Sequence, residues 1–149
     1  MSYEDETRER VLDAAGKALA RRALSRAALA ERLARVASPD VCEAVLDDLE
    51  ELGYVDDEAL ALALAEQRLA AGWGPGRVDA DLGRLGVSDD AARMGLRAAE
   101  AGEEGAARAL LASRTAAGRT PAQRLGLLAR RGFTADAAET VLGVLEDSP

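Results

Sequence analysis

The chain has 149 residues, of which 48% are hydrophobic and only 3% aromatic, and its formal net charge is -8. Few aromatic and β-branched residues favour helices over strands, while the absence of histidine and the single cysteine argue against a metal site, a disulfide and an enzyme. The polar N-terminus and the lack of an apolar run of about 18 residues argue against a signal peptide and a membrane span, so we expect a soluble, cytoplasmic protein without a cofactor.

Capping signals divide the chain into nine predicted helices. Three glycines are placed to stop a helix in the left-handed conformation, namely Gly53, Gly86 and Gly132. Three side chains after them are good N-caps for the next helix, namely Asp56, Ser88 and Thr134. Proline at a first helical position marks three more starts, at Pro39, Pro75 and Pro121. The predicted helices span residues 5–22, 26–36, 39–52, 57–71, 75–85, 89–99, 103–117, 121–131 and 135–146.

A repeat of about 46 to 50 residues runs through the whole chain. Its clearest part is LGRLGVSDDAARMGL, residues 82–96, which returns as LARRGFTADAAETVL at residues 128–142. An earlier copy aligns Leu33 with Leu82 and Leu128, and Ser38 with Ser88 and Thr134. Such a period is typical of stacked helical modules that each bury one face against a neighbour. We therefore predict an all-α protein of three three-helix modules, comprising residues 1–55, 56–101 and 102–149.

Several single residues have an expected place in these modules. Cys42 lies in an apolar stripe with helical spacing and is predicted to be a buried structural thiol. Tyr54 and Phe133 directly follow stop glycines and are predicted to pack at helix ends. Trp73, within the loop GWGPG, has two interpretations: it is an exposed contact for a partner, or it fills the space between two modules.

Four stretches in the right order and spacing resemble the RecX family of recombination regulators. The central ones are LGYVDD at residues 52–57 and the segment that contains Gly74, Arg77, Val78, Leu82 and Gly86. Leu19, Arg22, Ser25, Leu29 and Leu33 match the family's first module, and the closing stretch has Arg124, Leu125, Leu128 and RRGF at residues 130–133. The chain departs from the family pattern at Leu60, where an aromatic residue is common, and at Ala28, where glutamate is common.

The resemblance implies an elongated, curved protein that binds RecA filaments on DNA. Members of the RecX family are understood to lie in the groove of the filament and to inhibit ATP hydrolysis, filament growth and strand exchange by RecA. This is regulation by binding rather than by catalysis. We accordingly expect a monomer that acts in DNA recombination and repair, with weak direct contact to DNA as an open question.

The charges are segregated along the sequence. Residues 14–30 and 105–135 contain no acid, whereas residues 36–67 contain ten acids and no base. Complementary fields of this kind orient a large partner and set its register, and a protein filament fits them better than uniformly negative DNA. The candidate partner-binding residues are the arginines of the two acid-free segments: Arg21, Arg22, Arg26, Arg108, Arg114, Arg119, Arg124, Arg130 and Arg131.

Two other interpretations of the sequence stay open. Three short helices with a tight turn before the last one also resemble a helix-turn-helix regulator that binds DNA. Against this, the third helices begin with Asp40, Asp89 and Asp136, where groove contacts would need bases. The remaining interpretation is an interaction scaffold for a different protein partner.

Overall fold

The computed structural model describes residues 2–146 and confirms the all-α prediction. Met1 and residues 147–149, which belong to the first and third predicted modules, lie outside the described residues. The helices are α1 (Tyr3–Arg21), α2 (Arg26–Leu33), α3 (Pro39–Glu51), α4 (Asp57–Ala70), α5 (Pro75–Leu85), α6 (Asp89–Leu111), α7 (Pro121–Arg130) and α8 (Ala135–Glu146), with a short 3-10 helix at Arg114–Ala116. None of the helices within residues 2–146 is long and apolar enough to span a membrane.

The predicted capping scheme is confirmed. Gly53, Gly86 and Gly132 have φ angles of 85°, 74° and 86°, which is the left-handed region that favours glycine. The side chain of Ser88 accepts a hydrogen bond from the backbone N–H of Ala91 at 3.2 Å, as expected of an N-cap. Proline stands at the start of α3, α5 and α7. Local sequence therefore determines where most of the helices begin and end.

The predicted break between helices at residues 99–103 is wrong, because α6 runs without interruption for 23 residues. The repeat pattern predicts a connection here between helices at 89–99 and 103–117. In the structure Gly102 lies where α6 passes α4, and a Cβ atom there would be 2.8 Å from Leu69 Cδ1. Glu103 is buried and has a tertiary partner, described below. Packing thus overrides the weak helix propensity of glycine.

The buried residues form three separate apolar clusters that follow one another along the chain. One lies among α1–α3 around Leu29 and Leu46, one among α4–α6 around Val78 and Leu82, and one among the end of α6, α7 and α8 around Leu128. The main helix contacts have the same order, and α6 contacts both α4 and α8. The accessible surface is 9208 Å², against about 7,200 Å² for a compact protein of this mass. The molecule is therefore elongated.

Two of the three single-residue predictions agree with the structure. Cys42 is buried, with its Sγ 3.2 Å from the carbonyl oxygen of Leu33. Phe133 is buried in the connection between α7 and α8, as predicted. Tyr54, in contrast, is 67% exposed and does not pack at its helix end. The apolar residue that folds back at that turn is its neighbour Val55, which is buried.

Candidate partner interface

A single carboxylate connects α2 with the turn before α6. Asp57 Oδ1 accepts a hydrogen bond from the backbone N–H of Arg26 at 2.9 Å, and its Oδ2 accepts one from the backbone N–H of Ser88, also at 2.9 Å. Both N–H groups belong to helix starts, where the backbone has no partner of its own. The loop before α2 and the turn before α6 are thereby held together, and we call this contact the first joint.

The corresponding contact further along the chain, the second joint, uses backbone atoms directly. The N–H of Gly74 donates to the carbonyl of Arg131 at 2.7 Å, and the N–H of Gly76 donates to the carbonyl of Gly132 at 2.8 Å. A Cβ atom on Gly74 would be 2.6 Å from the nitrogen of Phe133. Only glycine permits this approach, which explains Gly74 and Gly76 in the loop GWGPG.

Trp73 lies at the second joint and is half-buried. The guanidinium carbons of Arg77 and Arg131 lie over its indole ring, 4.3 and 4.5 Å from the ring centroid. These are cation–π contacts. Of the two interpretations of Trp73, the structure favours the one that fills the space between modules, since Arg131 follows α7 and Arg77 belongs to α5. The indole ring therefore connects two parts of the chain that are more than fifty residues apart.

A buried carboxylate next to Trp73 gathers three arginines. Asp81 Oδ2 accepts from Nε of Arg68 at 2.7 Å and from Nε of Arg77 at 2.8 Å, and its Oδ1 accepts from Nη1 of Arg84 at 2.7 Å. Hydrogen bonding from Arg68, followed by that from Arg77, lowers the pKa of Asp81 although burial opposes the shift. We call Arg68, Arg77, Arg84 and Arg131 the joint arginine cluster.

Three members of the joint arginine cluster are not among the candidates predicted from the sequence, because Arg68, Arg77 and Arg84 lie outside the acid-free segments. Arg77, Asp81 and Arg84 are spaced four and three residues apart on one helix, which is the spacing of side-chain neighbours. That spacing was a usable signal for part of the cluster. The contribution of Arg68 comes from α4 and depends on the packing of α4 against α5, which the sequence did not reveal.

Arg26, a predicted partner-binding residue, is bound by three acids of α3. Its guanidinium donates to Glu43 and Asp47, each at 2.7 Å, and also to Glu50. These carboxylates, Glu50 above all, raise the pKa of Arg26, so the group stays charged. Arg26 thus neutralises part of the acidic surface of α3. The acid-free segment at residues 14–30 therefore presents less positive charge to a partner than its composition indicates.

The other predicted arginines occupy two regions. Arg21 and Arg22 are exposed at the end of α1, and Arg114 and Arg130 are exposed near α7. Arg108 is 3.9 Å from Glu104, which is at most a weak pair. Arg119 donates through Nε to the carbonyl of Thr115 at 2.8 Å. Arg124 is half-buried, and its Nε has no hydrogen-bond partner among the described atoms. Arg131 is the member that joins the arginine cluster.

Comparison with known proteins agrees with this architecture. A family model described as the second three-helix domain of RecX matches residues 56–96. A crystal structure of RecX from Lactobacillus salivarius superposes with a TM-score of 0.77 over 95% of this chain and 98% of that chain, at 17% sequence identity. At that identity the likeness shows a shared fold. The described part of this chain has no group of three His, Cys, Asp or Glu side chains placed to hold a metal ion.

Sequence similarity to known proteins covers almost the entire chain. Regulatory protein RecX from Halorhodospira halophila is 34% identical over 153 aligned positions, which cover 99% of this chain and 95% of the relative. Regulatory protein RecX from Thermobifida fusca is 40% identical over 132 positions, covering 80% and 70%, and that from Xanthomonas citri is 37% identical over 125 positions, covering 80% and 77%. These relatives are named as regulatory proteins, not as enzymes. The chain belongs to the RecX family.

Proposed function

We propose that this protein binds RecA filaments on DNA and inhibits the ATPase activity, filament growth and strand exchange of RecA. The observation that supports this most strongly is the relative that is 34% identical across 99% of the chain and carries the name of regulatory protein RecX. Members of that family are understood to act on RecA through binding. The proposed place of action is the cytoplasm, and the proposed free form is a monomer.

The proposed arrangement is three modules in a row, residues 1–55, 56–101 and 102–149. Its support is the sequence of three apolar clusters and the recurrence of one contact: Asp57 accepts from Ser88, and Glu103 accepts from Thr134, 46 residues further on. An elongated molecule with regularly spaced modules suits a polymeric partner, whose own subunits repeat at regular intervals. Each module can then meet a corresponding part of a filament.

The distribution of charge supports a protein filament, rather than DNA, as the binding partner. The exposed arginines near α7 lie in a segment without acids, while α3 and the start of α4 carry acids of which only some are paired with Arg8 and Arg26. A filament with alternating patches complements such a surface and accelerates association. Duplex DNA presents only negative charge and is repelled by the acidic region.

Measurement of ATP hydrolysis by RecA tests the proposal. RecA is assembled on single-stranded DNA, and this protein is added in increasing amounts below one copy per RecA subunit. The proposal predicts that hydrolysis falls well before equivalence, because one elongated molecule contacts more than one subunit. Unchanged hydrolysis at saturating protein would contradict it. The matched control is a folded variant in which Arg108, Arg114 and Arg130 are replaced with alanine. It should inhibit hydrolysis less than the unaltered protein at the same concentration.

The helix-turn-helix interpretation makes a different prediction for the same protein. Its third helices are α3, α6 and α8, and α6 begins with Asp89 and Asp90, both exposed. Acids at the start of a recognition helix oppose contact with phosphates and with base edges. If that interpretation were right, binding to free duplex DNA would occur without RecA and would weaken steeply with salt.

A further inference from the structure

The joint arginine cluster has more positive charge than its surroundings neutralise. Arg68, Arg77 and Arg84 share the carboxylate of Asp81, and Arg131 has no carboxylate partner among the described side chains. Arg131 instead lies near the end of α4, where its Nη1 is 3.4 Å from the carbonyl oxygen of Ala71. Carbonyls at a helix end carry partial negative charge only. A net positive patch therefore remains around Trp73.

The guanidinium groups of this patch are held in fixed positions. Arg68 and Arg77 use Nε for Asp81 and Arg84 uses Nη1, so several N–H groups of each guanidinium are left without a described acceptor. Asp81 is 8% exposed, whereas the side chains of Arg68, Arg77 and Arg84 are 31%, 38% and 75% exposed. Side chains that are already ordered lose little entropy when they bind a ligand.

The cation–π contacts add a second reason to expect an anion. Arg77 and Arg131 both lie over the ring of Trp73, so two like charges share one indole. Their mutual repulsion is offset on the Arg77 side by Asp81 and on the Arg131 side only by carbonyls. An anion that approaches Arg131 from solvent would relieve this repulsion, and guanidinium groups bind carboxylates in a two-bond geometry.

The surroundings of the cluster favour a short acidic polypeptide over nucleic acid. Residues 56–101 contain nine acids and five arginines, so the module as a whole is negative. A nucleic acid strand is long and uniformly negative, so it would be repelled by a module of net negative charge. A short carboxylate-rich segment can reach the arginines alone.

We infer that the joint arginine cluster is a docking site for a carboxylate-rich segment of a protein partner. The four arginines supply the charge and the hydrogen bonds, Asp81 and Trp73 hold them in place, and the backbone contacts between Gly74 and Arg131 fix the two sides of the site. The inference depends on the proposed function only for the source of that segment, which would be RecA.

Fluorescence of Trp73 tests the inference directly, because it is the only tryptophan in the chain. A short glutamate-rich peptide is titrated into the full-length protein, with a glutamine-rich peptide of equal length as the uncharged control. We expect a saturable change in emission with the glutamate peptide alone. Arg84→Ala should weaken that binding by about tenfold, as loss of one charge-assisted contact predicts. Arg97→Ala, which removes an exposed arginine from α6, should change it less than about twofold.

Three results would overturn the inference. The first is no saturable change with the glutamate peptide, and the second is equal weakening by Arg84→Ala and Arg97→Ala, which would indicate general charge attraction. The third is displacement of the peptide by a single-stranded oligonucleotide at lower concentration, which would make the cluster a nucleic-acid site. Circular dichroism of each variant establishes that helicity is retained. Since the assay contains no RecA, its failure is distinguishable from a failure to inhibit the RecA ATPase.

Discussion

The carboxylate of Asp57 accepts the backbone N–H of Ser88 at 2.9 Å, and its other oxygen accepts the N–H of Arg26. In the second joint the equivalent acid, Glu103, binds only Thr134, because the residue that corresponds to Arg26 is Pro75, the first residue of α5, which has no backbone N–H. The first joint thus depends on one side chain, whereas the second has backbone hydrogen bonds, a shared helix α6 and the Trp73 contacts.

Removal of this carboxylate should loosen the first joint. Asp57→Ala leaves two N–H groups of helix starts without their partner, so we expect a loss of about 1–2 kcal/mol in the free energy of unfolding. Glu58→Ala is the matched control, since Glu58 is an exposed acid in the same first turn of α4, and it should cost less than about 1 kcal/mol. Urea denaturation measures both. Equal losses would show that only the charge near the helix start matters.

Alanine at Gly74 should disrupt the second joint. The added Cβ would be 2.6 Å from the nitrogen of Phe133 and 2.7 Å from the carbonyl carbon of Gly132, so backbone has to move. We expect a loss of about 2 kcal/mol or more in the free energy of unfolding. Gly83→Ala, on the open surface of α5 where a Cβ meets nothing within 4 Å, should instead stabilise by about 0.5–1 kcal/mol. Thermal unfolding distinguishes the two, and a neutral Gly74→Ala would contradict the close approach.

The network around Asp81 should make stability depend on pH in the acid range. The pKa of Asp81 is lowered in the folded protein, so its contribution is complete above the unfolded value of about 3.9 and is lost as pH falls through the folded value. Asp81→Asn should lower stability near neutral pH by about 1–3 kcal/mol and flatten the decline below pH of about 4. Asp79→Asn, exposed on the same helix, should preserve that decline. An unchanged slope in Asp81→Asn would exclude this role.

Exposed arginines between the last turn of α6 and the end of α7 should contribute to binding of RecA filaments. Simultaneous replacement of Arg108, Arg114 and Arg130 with alanine removes three surface charges, and we expect affinity to fall about tenfold with helicity unchanged. Arg26→Ala is the control, because that side chain is bound by Glu43, Asp47 and Glu50. It should leave affinity within about twofold. If Arg26→Ala weakened binding as much as the triple variant, the α7 region would not be the interface.

The sequence predicted the features that depend on neighbouring residues. Stop glycines such as Gly86 and caps such as Ser88 act within one turn, so the helix ends that these residues mark are correct. Predictions from the sequence are wrong where contacts between distant residues determine the structure. Gly102 continues a helix because Leu69 packs against it, and Val55 rather than Tyr54 is buried. The joint arginine cluster also depends on such distant contacts, since Arg68 and Arg131 reach it from different parts of the chain, and the sequence therefore did not predict it.

Comparison of binding to RecA-coated and bare DNA shows directly whether this protein recognises RecA or DNA. One single-stranded oligonucleotide is immobilised either alone or fully covered with RecA, and this protein is passed over both at physiological salt. The account predicts saturable binding to the RecA-coated strand at concentrations that give no binding to the bare strand. Equal or tighter binding to the bare strand would contradict it and would favour a regulator that recognises DNA itself.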